Sequence, residues 1–241
     1  MEVSRASGDG QFAQDFTTEL WPEDYYVRSF TRALIHARDC VDPYLKGASS
    51  GSRRRELRRM RKRLGERGEV RSELIERPTD NPSVIDQFLQ LEASGWKGRE
   101  GVAMQCDHDR RSFFEEVATA GMERGQLHFS CLLLDDQPIA MSCDLVSTPG
   151  CFAFKIGFDE QFASFAPGIM LALDQINLIH SRPDISWMDS CTSPGNEWVG
   201  RLWSDRKTVT TMLIPTGKVG SQLAVGLFPL FHWMKRKVRR K

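Results

Sequence analysis

Residues 151–173 combine residue types and an order that suit the binding of a phosphate group. Apolar residues alternate with small or polar ones in the first half, which predicts a strand, at Phe152, Phe154, Ile156 and Phe158. The loop FDEQFASFAPG then leads into a helix that starts at Pro167, and the first turn of a helix offers unpaired N–H groups and a positive dipole end. Small side chains let a pyrophosphate approach the backbone, and this loop contains Ala163, Ser164, Ala166 and Gly168. An ordinary strand-to-helix connection has the same pattern, so the residues alone leave both interpretations open.

Five further positions carry side chains that suit a role in binding or catalysis. Asp189 lies in the middle of a predicted strand among apolar neighbours, where a carboxylate without a partner costs free energy. It is therefore either a structural residue bonded to backbone N–H groups or a functional one. Glu160 lies at the mouth of the loop, and Lys155 either anchors an anionic group or extends its ammonium to solvent. Trp96 and Lys97 form a loop that either covers a binding site or packs on its own domain.

Composition and missing motifs exclude several classes of function. The formal net charge of +1 gives no overall attraction to nucleic acid or to an anionic membrane. The chain has no G-x-S-x-G, no Walker loop, no H-E-x-x-H and no G-x-G-x-x-G after a strand. Its six cysteines form no C-x-x-C pair, so we expect reduced, structural thiols and no metal. The first residues lack the pattern of a secretory signal, and no apolar stretch reaches the ~20 residues of a membrane span, which predicts a cytoplasmic protein.

The elements that would position these residues form a meander of strands followed by a crossover helix. The predicted strands are residues 70–77, 127–134, 139–146, 151–158, 185–190 and 207–214. The predicted helices start after Ser83 (with Asp86 in a capping box), near Asp109 (burying Phe113, Phe114 and Val117), at Pro167 and near Glu197. This order predicts an α/β (α+β mixed) fold with a central mixed, mostly antiparallel sheet flanked by helices.

The remaining segments predict three parts of the chain. Residues 1–48 form an N-terminal extension, in which residues 25–39 suit a helix, and the linker-like GASSGS begins the main domain, residues 49–216. The basic run RRRELRRMRKRL predicts a helix with Ser52 as N-cap, ending at Gly65 or Gly68, whose arginines are either a solvated face or a polyanion-binding face. The C-terminal tail, residues 217–241, is apolar and then basic, which is typical of a membrane-surface helix or of a last helix packed on the sheet.

Five stretches in this order resemble the GNAT acyltransferase superfamily, in the branch of BioF2-like and CelD-like acetyltransferases, which is related to the Fem aminoacyltransferases. They are LEASGWKG, FF followed by a hairpin that ends in QPIA, FKIGFDEQFASFAPGIML, MDSCTSP and RLWSDRKTV. The matching region covers roughly two thirds of the chain, residues 52–215. Relatives in this branch carry a longer N-terminal half, so the extension is expected to be a remnant of an upstream GNAT-like half.

The resemblance implies direct transfer of an acyl group from acetyl-CoA, or another acyl-CoA, to an amine of a small molecule or amino sugar. The expected cofactor-binding residues are Phe154, Ile156 and Phe158 for the pantetheine arm, and Ser164, Phe165, Ala166, Gly168 and Ile169 for the pyrophosphate. The strand with Asp189 is expected to splay away from the strand before the loop, and the thioester enters that gap. Asp189 is the first candidate for the base that deprotonates the amine, Glu160 is the second, and the substrate contacts are Trp96, Lys97 and Lys155.

Two departures from the family pattern leave alternatives open. The phosphate loop of the family reads Arg or Gln, two residues, Gly, one residue, then Gly or Ala, whereas this chain has Ser164 or Ala166 at the first Gly position, depending on the register. The tyrosines of the chain, Tyr25, Tyr26 and Tyr44, all lie outside the matching region, so none is expected there to protonate the leaving thiolate. The alternatives are a catalytically degenerate GNAT-fold module that binds a polyanion or membrane surface, and Fem-like aminoacyl transfer, the one case with a nucleic-acid partner, tRNA.

Overall fold

The computed structural model describes residues 2–7, 26–48, 50–193, 197–213 and 218–238. The strands are β1 (Glu2–Ser7), β2 (Tyr26–His36), β3 (Val70–Ile75), β4 (Leu127–Leu134), β5 (Gln137–Ser147), β6 (Gly150–Phe158), β7 (Trp187–Asp189) and β8 (Asp205–Leu213). The helices are α1 (Val41–Ala48), α2 (Gly51–Gly65), α3 (Val84–Ser94), α4 (Trp96–Arg99), α5 (His108–Glu123), α6 (Pro167–Ser181), α7 (Glu197–Gly200) and α8 (Val219–Val238). The chain divides into two compact units, Ala33–Asp205 and a smaller one made of Met1–Arg32 and Arg206–Lys241. The boundaries expected at residues 48 and 216, and the origin of the extension, stay predictions.

The larger unit is built on a mixed sheet with the strand order β2–β7–β6–β5–β4–β3. The end of β2 pairs antiparallel with β7, and the run from β6 to β3 is antiparallel throughout. Only β6 and β7 are parallel among these described strands, because α6 crosses over between them. The predicted fold class, a mixed and mostly antiparallel sheet with flanking helices, is confirmed.

Helices cover both faces of this sheet, and the alternation of side chains along β4 shows which helix packs on which face. Cys131 and Leu133 join the buried cluster formed with α3 and α5. Leu132 and Leu134 join a second cluster with residues of α2 and α6. Every residue of β4 is buried, as expected for a strand with helices on both sides.

Helix α6 has one buried face, which sets its orientation on the sheet. The buried residues recur at helical spacing, and they are Met170, Leu171, Ala172, Gln175, Ile176 and Ile179. Each fully buried aliphatic side chain of this kind contributes about 1.5–3 kcal/mol relative to an exposed one. Pro167 occupies the first turn, where its missing N–H costs no hydrogen bond. The predicted helix start at Pro167 is therefore confirmed.

Four local predictions are wrong. Residues 25–39 do not form a helix, because residues 26–36 are strand β2, and Leu34 pairs with Asp189 of β7. The N-cap of α2 is Ser50, whose hydroxyl accepts a hydrogen bond from Arg53 N–H, and Ser52 lies inside the helix. Ser83 is the N-cap of α3, as predicted, but its side chain makes no capping bond, so the capping box with Asp86 is wrong. In α5 the buried residues are Phe114, Ala118 and Met122, four residues apart, whereas Phe113 and Val117 are exposed.

In the smaller unit, β1 and β8 pair antiparallel, with Glu2 opposite Leu213. Helix α8 carries an apolar stripe whose members are exposed: Val219, Leu223, Leu227 and Leu230. Among the described helices, none combines the length and the hydropathy of a membrane span. Three basic residues at the end of the tail lie outside the described residues, and its binding to a membrane stays a proposal.

Candidate active site

Strands β6 and β7 separate after three residue pairs, and the separation opens a cavity. The parallel pairing runs only from Gly150 with Trp187 to Phe152 with Asp189, whereas β6 continues to Phe158. The cavity has a volume of about 240 Å³. Its wall consists of Lys97, Ser142, Ala153, Phe154, Lys155, Ile156, Ala172, Gln175, Ser190, Cys191, Thr192, Ser193, Val199 and Trp203. The gap expected beside the strand with Asp189 is therefore present.

A β-bulge at Phe154 lets both faces of the sheet contribute to this wall. Asp144 of β5 pairs with Ala153, but the next residue, Cys143, pairs with Lys155, so Phe154 is an extra residue in β6. Ala153 therefore shares the α6 face of the sheet with Asp144, and Lys155 shares the α3 face with Cys143. Phe154 itself is 45% exposed, because β7 no longer covers this part of β6.

On the α3 face, two lysines and one buried carboxylate meet at the cavity. Oε1 of Glu92 lies 3.1 Å from Nζ of Lys97 and 3.0 Å from Nζ of Lys155, and Oε2 accepts the N–H of Met104 at 3.1 Å. Burial raises the pKa of Glu92, but the Met104 N–H and the two ammonium groups outweigh it, so the pKa lies below its ordinary value. Glu92 is therefore ionised at neutral pH.

On the α6 face, a second buried carboxyl group lies behind the cavity wall. Asp144 is fully buried, and its Oδ1 accepts a hydrogen bond of 2.5 Å from the hydroxyl of Ser142, which lines the cavity. Ser130 donates to Oδ2 at 2.9 Å, and Nε2 of Gln175 lies 3.2–3.3 Å from both carboxyl oxygens. Nε2 of the buried His128 is 3.4 Å from Oδ2 and has no hydrogen-bond partner among the described residues.

Asp189 supports the turn that opens the cavity. Its side chain is fully buried, and Oδ1 accepts the N–H of Cys191 at 3.0 Å. Cys191 has φ 52°, which is uncommon for a residue other than glycine, and it lies where the chain leaves β7. The cavity wall begins one residue after Asp189, at Ser190. Its predicted role as the base stays a prediction.

Glu160 connects the loop after β6 to helix α4. Its carboxylate accepts the N–H of Trp96 at 2.9 Å and forms a bidentate pair with Arg99 at 2.7 and 3.2 Å. The Arg99 guanidinium and then the Trp96 N–H hold the pKa of Glu160 below its ordinary value. This pair positions α4, and with it Lys97, at the cavity, and the role of Glu160 as a base or substrate contact stays a prediction. Trp96 is 51% exposed.

The loop between β6 and α6, residues 159–168, is the predicted phosphate loop. Residues 160–165 form a 3-10 helix, and Ala166 follows with φ 52° and ψ 54°. Most N–H groups here have acceptors: those of Gln161 and Phe162 bond to Asp159, and that of Ala166 bonds to Ala163. Among the described residues, Gly168 retains an N–H without a partner in the first turn of α6, where the proline has no N–H.

Two arginines lie against this loop, Arg63 in the last turn of α2 and Arg67 just after the helix. The guanidinium carbons of Arg63 and Arg67 are 5.8 and 4.8 Å from the centre of the Phe165 ring. Phe165 is buried and ends the 3-10 helix, so both cations lie close to the first turn of α6. Sequence reasoning missed this proximity, although the arginine run itself was noted as an anion-binding candidate.

The predicted cofactor contacts divide between the exposed strand and the loop. Phe154 and Phe158 are exposed on β6, and Ile156 lines the cavity. A Cβ atom on Gly168 would lie 3.6 Å from Ile156 and 3.8 Å from Phe158, so the strand contacts and the start of α6 are adjacent. Ser164 is exposed in the loop. The structure brings these residues to one side of the cavity, and their contact with a cofactor stays a prediction.

A family model for the acetyltransferase (GNAT) domain matches residues 51–197, more than half of the chain. The chain belongs to the GNAT acetyltransferase family. The match covers α2 to the start of α7, and so includes the phosphate loop, both carboxyl clusters and the cavity wall except Val199 and Trp203. The GNAT resemblance noted in the sequence is confirmed.

Solved structures show the same fold at low sequence identity. The C-terminal domain of an Agrobacterium fabrum protein named lysylphosphatidylglycerol synthetase has a TM-score of 0.55 at 12% identity, covering 93% of this chain and 70% of that one. L-PGS from Bacillus licheniformis has a TM-score of 0.53 at 10% identity, with coverage of 93% and 70%. A conserved protein of unknown function from Bacteroides thetaiotaomicron has a TM-score of 0.52 at 13% identity, with coverage of 87% and 68%. No curated protein matches this chain.

A GNAT domain generally uses an acyl-CoA as co-substrate, and the phosphate loop of this chain fits that group. The Gly168 N–H and the dipole of α6 supply backbone attraction for an anion, and Arg63 and Arg67 supply full positive charge beside it. The loop offers fewer open N–H groups than a glycine-rich loop, since its 3-10 helix uses them internally. We therefore expect the arginines to carry more of the phosphate binding than in a glycine-rich loop.

Proposed function

We propose that this protein is an acyl-CoA-dependent N-acyltransferase that transfers an acyl group, with acetyl the first candidate, directly to an amine of a small molecule or amino sugar. The observation that carries the proposal is the cavity between β6 and the segment after β7. Its wall reaches α6 on one face of the sheet and the lysine pair on the other. Two substrates can thus approach the same gap from opposite faces, which suits a direct transfer.

The residues of the chain bind and orient the substrates on the two faces. The phosphate loop and the two arginines hold the diphosphate, and the exposed strand residues Phe154 and Phe158 contact the arm that leads to the cavity. The acyl-CoA supplies an activated acyl group as a thioester. Holding that group beside the amine accounts for part of the rate, of order 7–11 kcal/mol in favourable intramolecular cases.

An amine that is cationic at neutral pH must lose a proton before it attacks. The hydroxyl of Ser142 faces the cavity and already donates to Asp144, so a proton taken up at Ser142 Oγ can pass to the carboxyl group behind it. Asp189, the first candidate from the sequence, lies one residue from the cavity wall and is the alternative to Asp144. The kcat values and pH profiles of Asp144→Asn and Asp189→Asn separate the two candidates.

A transfer assay tests the proposal. Purified protein is incubated with acetyl-CoA and a panel of amines, and the free CoA thiol is measured, with thermal unfolding at millimolar acetyl-CoA run in parallel. We expect amine-dependent thiol release, and a rise in Tm of several degrees, because ligand at 100 times its Kd adds about 2.7 kcal/mol to stability. Ser193 is an exposed residue of the cavity wall, so the indole of Ser193→Trp should fill the cavity and abolish both the thiol release and the Tm shift. If the wild type shows no thiol release and no Tm shift, the proposal is refuted.

The arginine-rich surface of α2 favours one alternative, aminoacyl transfer from tRNA. Arg55, Arg58 and Arg59 are exposed on this helix and have no acidic partner among the described residues, in contrast to Arg53, which pairs with Glu56 at 2.7 Å. A tRNA donor would bind through phosphate contacts, so its affinity would fall steeply as salt rises. Transfer from aminoacyl-tRNA, lost in Arg55→Ser/Arg59→Ser, would establish the alternative. Binding of acetyl-CoA or a polyanion without any transfer would favour the degenerate module.

A further inference from the structure

We propose that Lys97 and Lys155 form a subsite for one carboxylate group of the acceptor, so that the acceptor is an amino acid or a similar amine that carries a carboxylate. The inference rests on the proposed function, because it assigns the chemistry of the second substrate. It goes beyond that function, because the transfer of an acyl group to an amine requires no charge on the acceptor.

The geometry holds both ammonium groups at one point of the cavity wall. Each Nζ lies within 3.1 Å of the same oxygen, Oε1 of Glu92, so the two cations are neighbours. The Glu92 side chain has no exposed area, while those of Lys97 and Lys155 are 26% and 29% exposed. The carboxylate is thus fixed behind the wall, and the ammonium groups lie between it and the cavity.

The charges at this point do not balance. Glu92 is ionised and compensates one of the two ammonium groups, and no other side chain that lines the cavity on the α3 face carries a formal charge. The α3 face of the cavity therefore has an excess of one positive charge, whereas Asp144 lies behind the wall on the other face. A monoanion such as a carboxylate neutralises this excess, whereas a phosphate dianion would leave an uncompensated negative charge in a partly desolvated place.

The hydrogen-bond capacity of the lysines points to the same ligand. An ammonium group has three donors. Lys97 uses two of them, on Glu92 and on the carbonyl of Ile156, and Lys155 uses one on Glu92. Up to three donors therefore remain among the described contacts. The bond to the Ile156 carbonyl gives Lys97 a structural role, because it holds α4 on the sheet. Lys155 has no bond of this kind among the described contacts.

The position of the pair selects the acceptor rather than the acyl donor. Lys155 lies on the α3 face of the sheet, as its pairing with Cys143 shows, whereas the phosphate loop and α6 lie on the other face. A donor held at the start of α6 thus reaches the cavity from the face opposite the lysines. Ser190 and Thr192, whose hydroxyls are 3.0 Å apart in the same wall, offer acceptors for the amine of the bound molecule.

Paired acceptors that differ only in charge test this subsite. With acetyl-CoA as donor, kcat/KM is measured for a panel of amino acids and for the corresponding carboxamides, which replace the carboxylate by a neutral group of similar size. We expect the wild type to prefer the carboxylate by about 10- to 100-fold, the range of a charge-assisted hydrogen bond. Lys155→Met and Lys97→Met should lower this preference toward one through KM, and Lys155→Arg should restore most of it. Lys46→Met, at an exposed position on α1, is the control for overall charge.

A second variant and a binding measurement keep the test decisive. Because the single lysine variants leave Glu92 less well compensated, Glu92→Gln/Lys97→Met/Lys155→Met removes the anion together with both cations and should fold while losing the preference. Thermal shifts with N-acetyl amino acids and with their amides report on the subsite without any transfer. If the thermal shifts are selective for the carboxylates and vanish in the lysine variants, but the protein does not bind acetyl-CoA, the proposed function is refuted and the subsite is supported. If acetyl transfer has equal rates with the amino acids and their carboxamides, and the thermal shifts are also equal, the subsite is refuted and the proposed function is supported.

Discussion

Replacing Glu92 by glutamine removes one negative charge from a place where two ammonium groups depend on it. The glutamine oxygen can still accept one or two of the three hydrogen bonds that Glu92 receives, but its NH₂ group must then face a donor. Loss of one partner of a buried ion pair costs about 3–5 kcal/mol. Since both lysines are about a quarter exposed and can turn toward water in the cavity, we expect the lower end, about 3 kcal/mol.

The pH dependence of this loss has a definite sign. The pKa of Glu92 in the folded protein lies below its ordinary value of 4.5, so its ionised form stabilises the fold fully above about pH 4.5. This contribution disappears as the pH falls through the lowered pKa. The difference between wild type and Glu92→Gln should therefore be constant from pH 6 to 8 and shrink below about pH 4.5.

Urea unfolding followed by tryptophan fluorescence measures both effects. The control is Glu115→Gln, which removes an exposed i,i+4 pair with Arg111 on α5 and should cost about 0.3–0.5 kcal/mol. A loss for Glu92→Gln no larger than that of the control would refute the role given to Glu92. So would a loss of equal size at pH 7 and at pH 4.

Three further changes test the other parts of the account. Gly168→Asp places a carboxylate in the first turn of α6, where a negative charge suits the helix dipole, so the stability of the fold should be kept. The same carboxylate should repel the diphosphate, so the Kd for acetyl-CoA should rise at least about tenfold relative to the neutral control Gly168→Ser. Equal Kd values for the two variants would show that the start of α6 is not part of the site. Asp144→Asn should lower kcat more than Asp189→Asn and change its pH profile, and the reverse order would return the role of base to Asp189. For the tail, Leu223→Asp/Leu227→Asp should reduce sedimentation with anionic vesicles, and unchanged pelleting would exclude the exposed stripe of α8 as a membrane contact.

The sequence was a good guide to the fold where periodicity is local. The four strands from β3 to β6 and helices α3, α5 and α6 were all expected, because each is amphipathic or fully apolar over its own length. Strand β2 was missed because its partner β7 lies about 150 residues further on, and local composition does not show a pairing over that distance. In α5 the pattern also suggested too wide a buried face, since Phe114 is buried whereas Phe113 and Val117 are exposed.

The candidate site was predictable as a region but not as a set of contacts. The gap beside the strand with Asp189 and the position of the phosphate loop were expected. Glu92 and Asp144 were not, since each meets its partners only through the packing of α3 or α6 on the sheet. One signal was present: Ser142 and Asp144 are polar residues on the same face of an otherwise apolar strand, a position that costs free energy unless they are paired.

The most direct test of the central claim is whether acetyl-CoA covers the cavity between β6 and the segment after β7. Cys191 lies in the cavity wall, while Cys40 and Cys106 are exposed elsewhere and serve as internal controls. Burial raises the pKa of the Cys131 thiol to about 12 and that of the Cys143 thiol well above its ordinary value, so these thiols should remain unreactive.

Peptide mass spectrometry gives the alkylation rate of each cysteine with and without the ligand. Since only the free protein reacts at a covered thiol, acetyl-CoA at about ten times its Kd should slow alkylation of Cys191 about tenfold and leave Cys40 and Cys106 unchanged. An unchanged rate at Cys191 under saturating acetyl-CoA would contradict the account.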